Sequence, residues 1–112
     1  MKNKIIEFVK RVEVESNEDL NRMYPKFSDG DANGHNPSKT FSVTFGRKYA
    51  KIMSRDFNGS SSYVWGFVNM VTGDLLKAAS WKAPAKHARG NIETASYGNN
   101  YVWTGPNYLR RY

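Results

Sequence analysis

Residues 40–81, TFSVTFGRKYAKIMSRDFNGSSSYVWGFVNMVTGDLLKAASW, decide the fold. Phe41, Val43 and Phe45 alternate with Ser42 and Thr44, the two-residue period of a half-buried strand. Gly46-Arg47 can turn the chain, and Tyr49–Ser54 alternates again with Ala50 and Ile52 on one side. Phe57-Asn58-Gly59-Ser60-Ser61 is a second turn cluster. Tyr63 to Val68 is a dense aromatic and β-branched run, with Tyr63, Trp65 and Phe67 expected on one face. Val71-Thr72-Gly73-Asp74 is a hairpin connection, after which Leu75–Trp81 returns. This spacing predicts a four-stranded antiparallel meander with its apolar face covered by the N-terminal segment.

That segment reads as helical. Ile5, Ile6, Phe8, Val9 and Val12 recur at helical spacing over residues 3–12. Val12, Val14 and Ser16 alternate like a strand, and Ser16 followed by Asp19 resembles a capping signal. A second short helix is therefore expected over Asn17–Met23, ended by Pro25. On the other side, residues 84–89 have Pro84 near their start and Gly90 just beyond, the asymmetry of a short helix. Residues 94–112 read as a loop packed back on the domain, with one strand at Tyr101–Thr104. The expected fold class is α+β: one domain over residues 1–112, an antiparallel sheet of about four strands over residues 40–81, N-terminal helices on one face, and a short helix at 84–89.

Composition bounds the chemistry. A chain of 112 residues, 39% hydrophobic and 14% aromatic, is enough for one packed core. The absence of cysteine excludes a disulfide scaffold, a thiol nucleophile and any Cys-built metal site. No apolar run approaches the roughly 20 residues of a membrane helix. The start MKNKIIEFVKR lacks the apolar stretch of a signal peptide, so a soluble, intracellular protein is expected. Three Trp and seven Tyr exceed what so small a core buries comfortably, which points to a homo-oligomer.

The net charge of +7 is local. Residues 39–92 carry nine basic side chains against only Asp56 and Asp74, while the segments on either side are nearly balanced. A field of one sign attracts nucleic acid, nucleotides or acidic headgroups.

Catalytic and metal candidates are few. Asp29-Gly30-Asp31-Ala32-Asn33-Gly34 matches the first half of a calcium loop, but Thr40 stands where the bidentate Glu belongs and Pro37 takes position nine. The segment reads as a turn, and no metal or cofactor is expected. His35 and His87 are the only histidines, and neither has a recognisable nucleophile or acid partner, so a binding protein is expected rather than an enzyme. Lys82, Lys86 and Arg89 surround His87 in sequence.

The most loaded tract is residues 76–92, LKAASWKAPAKHARGNI. Trp81, with Trp65 and Tyr63 from the sheet, would stack on a base. Lys77, Lys82, Lys86 and Arg89 would hold phosphates. His87 would donate to a ribose or phosphate oxygen, and Gly90 and Asn91 would shape the approaching backbone. The N-terminus of the expected helix would add N–H groups for an anion. Singly, each residue also suits a structural role, with Trp81 in the core and the cations solvated; their clustering favours a nucleotide ligand. Arg47, Lys48, Lys51 and Arg55 would extend the cluster into a stripe if the two groups join. A stripe suits single-stranded DNA or RNA, and a tight cluster suits one nucleotide.

The tract KAASWKAPAKHARGNI, with the aromatic strand and Thr-Gly-Asp turn before it, resembles a segment of small uncharacterised proteins encoded by tailed bacteriophages. The resemblance covers about residues 44–92, with a weaker echo in WTGPNYL at 103–109. It implies a phage origin, action in the cytoplasm of the infected bacterial host, and an accessory role. For a non-catalytic nucleotide binder in that setting, the natural use is to sequester a bacterial immune nucleotide signal. A virion or host-protein-binding module is a further class.

Overall fold

The computed structural model describes residues 1–23, 38–56 and 61–107. The calcium-like segment at 29–34, His35, most of the turn cluster at 57–61 and the last aromatic residues lie outside the described residues. In chain order the elements are α1 (Lys2–Met23), β1 (Lys39–Phe45), β2 (Tyr49–Asp56), β3 (Ser62–Asn69), β4 (Asp74–Ala78), β5 (Pro84–Asn91), β6 (Tyr101–Val102) and β7 (Gly105–Pro106). Strands β1 to β5 form one antiparallel sheet in sequence order, and β6 pairs with β7 as a separate hairpin. The α+β class and the meander stand as expected, and the sheet gains a fifth strand.

One helix replaces the expected two. Its buried residues are Ile5, Phe8, Val9, Val12, Ser16 and Leu20, a spacing of three or four carried unbroken through Val12–Ser16. Val14 points outward at 56% exposure. Ser16 is fully buried, and its Oγ has no hydrogen-bond partner among the described residues, so it packs rather than caps. The same helix closes the rim of β1. The Asn17 amide donates to the Lys39 carbonyl at 2.9 Å and accepts from the Lys39 N–H at 2.7 Å. Glu13 accepts from the Phe41 N–H at 2.7 Å. Behind this rim Ile5, Phe8, Val9 and Val12 pack on Ala50, Ile52, Val68 and Leu75. Tyr101 meets Phe8 and Trp65 edge-on, at 5.3 and 5.7 Å between centroids.

The alternation of β3 is broken by a bulge. Ile52 faces Gly66 and Met53 faces Val64, which leaves Trp65 as the extra residue. Trp65 is 1% exposed in the helix-side core, and Tyr63 packs against the same core. Phe67 passes to the opposite face, paired with Leu76. The expectation of Tyr63, Trp65 and Phe67 on one face is thus corrected. Gly66 makes the room: a Cβ there would lie 3.0 Å from the Pro106 ring and from the Leu76 carbonyl.

The helix expected at 84–89 is also corrected, because those residues belong to β5. Ala79 and Ser80 donate backbone N–H groups to the Ala83 carbonyl at 3.0 and 3.1 Å, and Ser80 Oγ accepts from Ala83 N–H at 3.2 Å. This reverses the chain and sets Leu76 opposite Ala88 and Leu75 opposite Gly90. Pro84 stands first in an edge strand, where its missing N–H is tolerated. Ala and Lys favour a helix, but so short a helix is marginal alone, whereas β4 offers a ready ladder. Gly90 is needed for another reason than a cap: its φ is 147°, and a Cβ would lie 2.8 Å from Asn100 Nδ2. The expected strand at 101–104 is the β6–β7 hairpin, with its turn at 103–104. Among the described Trp and Tyr side chains Trp81 alone is exposed; Trp65 and Tyr101 are buried, and Tyr49, Tyr63, Tyr97 and Trp103 are partly buried.

Candidate functional site

The face of the sheet opposite α1 is built from β2 outward. Along β2, Tyr49, Lys51, Met53 and Arg55 alternate with the buried Ala50, Ile52 and Ser54. The exposed Thr44, Ser42 and Thr40 of β1 stand opposite Lys51, Met53 and Arg55. The β1–β2 turn carries Arg47 and Lys48, both exposed. The β4–β5 connection then folds toward β2, so that Lys51 Nζ lies 4.6 Å from the centre of the Trp81 ring. Lys48 Nζ sits 5.4 Å from the Tyr49 ring, and Tyr49 meets Phe67 edge-on at 6.4 Å. Thr44, Gly46, Arg47, Lys48, Tyr49, Lys51, Phe67 and Lys82 line a groove of about 340 Å³. Among the described residues no acidic side chain is in that lining. Two basic segments more than 30 residues apart in sequence therefore meet on one face, beside a 56% exposed indole.

A larger hollow of about 630 Å³ lies between α1 and residues 92–93, lined by Asn3, Lys4, Glu7, Phe8, Arg11, Ile92 and Glu93. Its charges are spent internally. Lys4 pairs with Glu93 at 2.5 Å, and that hydrogen bond holds the Glu93 carboxyl below its usual range. Arg11 donates to the Ile92 and Ala95 carbonyls at 3.3 and 3.2 Å. This hollow is the seam that ties the C-terminal segment to the helix. It has neither the single sign nor the exposed ring of the groove.

The residues expected to bind ligand divide into two sets. Lys82 lines the groove and Trp81 stands beside it, while Lys86 and His87 are exposed on β5. The others are engaged in holding the fold. Lys77 donates to the Pro106 carbonyl at 3.1 Å, and burial first, then the nearby Arg89, push its pKa below the usual lysine value. Arg89 donates to the carbonyls of Asn107 and His87, both at 3.0 Å. Asn91 donates to the Thr72 carbonyl at 2.8 Å and to Asp74 at 3.3 Å. Gly90 is pressed against Asn100. Trp65 offers no face to a base from inside the core, and its Nε1 donates to the Val102 carbonyl at 3.1 Å. Tyr63 is half-buried, donates to the Trp103 carbonyl at 2.9 Å, and with Trp103 flanks Lys39. The anion site at a helix N-terminus falls with the helix itself. Two further groove residues are Tyr49, which the alternation of β2 places beside Lys51, and Phe67, buried on the outer face of the sheet where the expected strand pattern did not put it. Among the described residues no group of three or more His, Asp or Glu is placed to hold a metal ion.

Residues 1–109 match the model of a family of unknown function, DUF7717. The chain belongs to this family. The match runs through the helix, all five sheet strands and the β6–β7 hairpin, so the groove lies wholly inside the family's extent. No curated protein and no solved structure matches the chain. No described helix is long and apolar enough to cross a membrane.

Proposed function

We propose that the protein is a non-catalytic binder of single-stranded nucleic acid, which lies over the outer sheet face. The observation that carries this reading is the joining of Arg47, Lys48 and Lys51 with Lys82 in one groove, with no acidic side chain among its described lining residues, beside Trp81 and Tyr49. Arg55 continues the line of charge along β2, and the Thr40, Ser42 and Thr44 hydroxyls offer neutral donors next to it. A backbone-tracking row of cations with an exposed ring is the recurrent solution for single strands. Fluorescence polarisation with labelled oligothymidylate and oligouridylate tests it. With four or five phosphates neutralised, the logarithm of affinity should fall against the logarithm of salt with a slope of about −3. Arg47→Ala and Lys82→Ala should each reduce that slope by about 0.7. Oligonucleotide binding that is absent at low salt, or indifferent to both substitutions, overturns the reading.

The groove volume of about 340 Å³ favours a second reading, one nucleotide held at the same place. Calorimetry with mono-, di- and cyclic nucleotides separates the two: saturable binding with little salt dependence would put the small ligand first. The resemblance to tailed-phage proteins supports an accessory, anti-defence setting for either ligand, in the cytoplasm of an infected bacterium.

A further inference from the structure

We infer that Lys51 occupies, in the free protein, the face of Trp81 that a base takes in the complex, so that the groove selects phosphate chains that carry bases over phosphate chains alone. The inference rests on the strand-binding reading and adds the selection rule. Lys51 Nζ lies 4.6 Å from the Trp81 ring centre, while the indole remains 56% exposed. Lys51 stands on the central run of β2, opposite Thr44 on one side and Phe67 on the other. Among the described residues no acidic side chain lines the groove to compete for its ammonium. Trp81 sits at the tip of the β4–β5 connection, next to Lys82, which also lines the groove.

Cation–ring contacts at exposed sites are weak, and stacking of a base on an aromatic ring is stronger. A nucleotide can therefore displace Lys51 from the indole and at the same time offer its phosphate to the released ammonium. A chain with phosphates but no bases draws Lys51 away and leaves the indole uncovered, so it gains only half of the exchange. The two groups thus act together: Trp81 reads the ring, and Lys51 reports whether a phosphate is attached to it.

Nuclear magnetic resonance of the full chain tests this directly. In the free protein the ring current of Trp81 should shift the Lys51 ε-methylene protons upfield, and Trp81→Leu should abolish the shift. Saturating oligothymidylate should return these protons downfield and bind about five-fold or more tighter than an abasic strand of equal length and charge. Lys51→Met should weaken oligothymidylate more than thymidine. If oligothymidylate binds while the Lys51 signals stay in place, or if the abasic strand binds equally well, the exchange is wrong and the strand-binding reading survives. If neither strand binds, the reading beneath it falls instead.

Discussion

Replacing Gly105 by Ala should be among the most damaging single-methyl additions to this chain, and the reason is local. Gly105 has a φ of 140°, a region that L side chains rarely adopt, and a Cβ there would lie 2.8 Å from the Trp65 carbonyl oxygen. The backbone term alone costs about 1–3 kcal/mol. The clash is with backbone in the bulged part of β3, which cannot swing aside, so the β6–β7 hairpin must lift. Lifting threatens the bonds from Trp65 to Val102, from Lys77 to Pro106 and from Tyr63 to Trp103. Each is worth about 0.5–1.5 kcal/mol net, so losing one or two brings the total to about 1.5–6 kcal/mol, centred on about 3–4 kcal/mol. Gly98 supplies the control. Its φ is also positive, at 89°, but a Cβ there meets nothing within 4 Å. Gly98→Ala should cost about 1 kcal/mol, the left-handed penalty less the gain from stiffening the unfolded chain. Urea unfolding followed by tryptophan fluorescence measures both. Two variants within about 0.5 kcal/mol of each other would refute the close seating of the hairpin on β3.

Three further outcomes follow from the same geometry. Asn17→Ala should lower stability by about 2 kcal/mol in chemical denaturation, because it strips a donor and an acceptor from the Lys39 backbone. Arg89→Ala should lower stability by about 1.5–3 kcal/mol in thermal melts through its bonds to Asn107 and His87, and should leave oligonucleotide affinity within about two-fold. Burial, and then the hydrogen bond to Glu15, push the Tyr101 phenol up to about 12. A phenol raised on folding stabilises the protein fully below about pH 10 and loses that contribution as pH climbs through the folded value. Melting temperatures between about pH 9 and 12 should therefore fall less steeply in Tyr101→Phe than in the parent protein.

The strands β1 to β4 were legible because their alternation is bounded by Gly46-Arg47 and Thr72-Gly73, turn chemistry that needs no tertiary help. The fifth strand was not. Residues 84–89 have a helix-forming composition and a helix-like Pro-to-Gly frame, and only the ladder with β4 overrides both. The N-terminal helix was half legible: Val14 mimicked a strand period, yet the spacing from Val12 to Ser16 to Leu20 continues the buried stripe. Gly66 was the readable sign of the bulge, since a glycine inside a strand marks such sites, and it would have moved Phe67 to the other face. The candidate site was legible in its ingredients and not in its assembly. Whether Lys51 and Lys82 meet depends on how the β4–β5 connection folds over β2, and nothing in either segment encodes that contact. Arg89 shows the reverse limit, a cation that chemistry suits to phosphate but that the fold commits to its own backbone.

The way α1 lies on β1 bears on how this molecule can assemble. A sheet grows by recruiting strands onto unsatisfied rims, and here one rim meets side-chain amide and carboxylate groups that imitate a neighbouring strand at Lys39 and Phe41. The opposite rim, β5, begins with a proline and is irregular in register, and the Asn100 amide occupies the Arg89 carbonyl at 3.1 Å. Neither side presents a long, regular template. A continuous intermolecular ladder through either rim is therefore disfavoured, and with it the growth of fibres from folded chains.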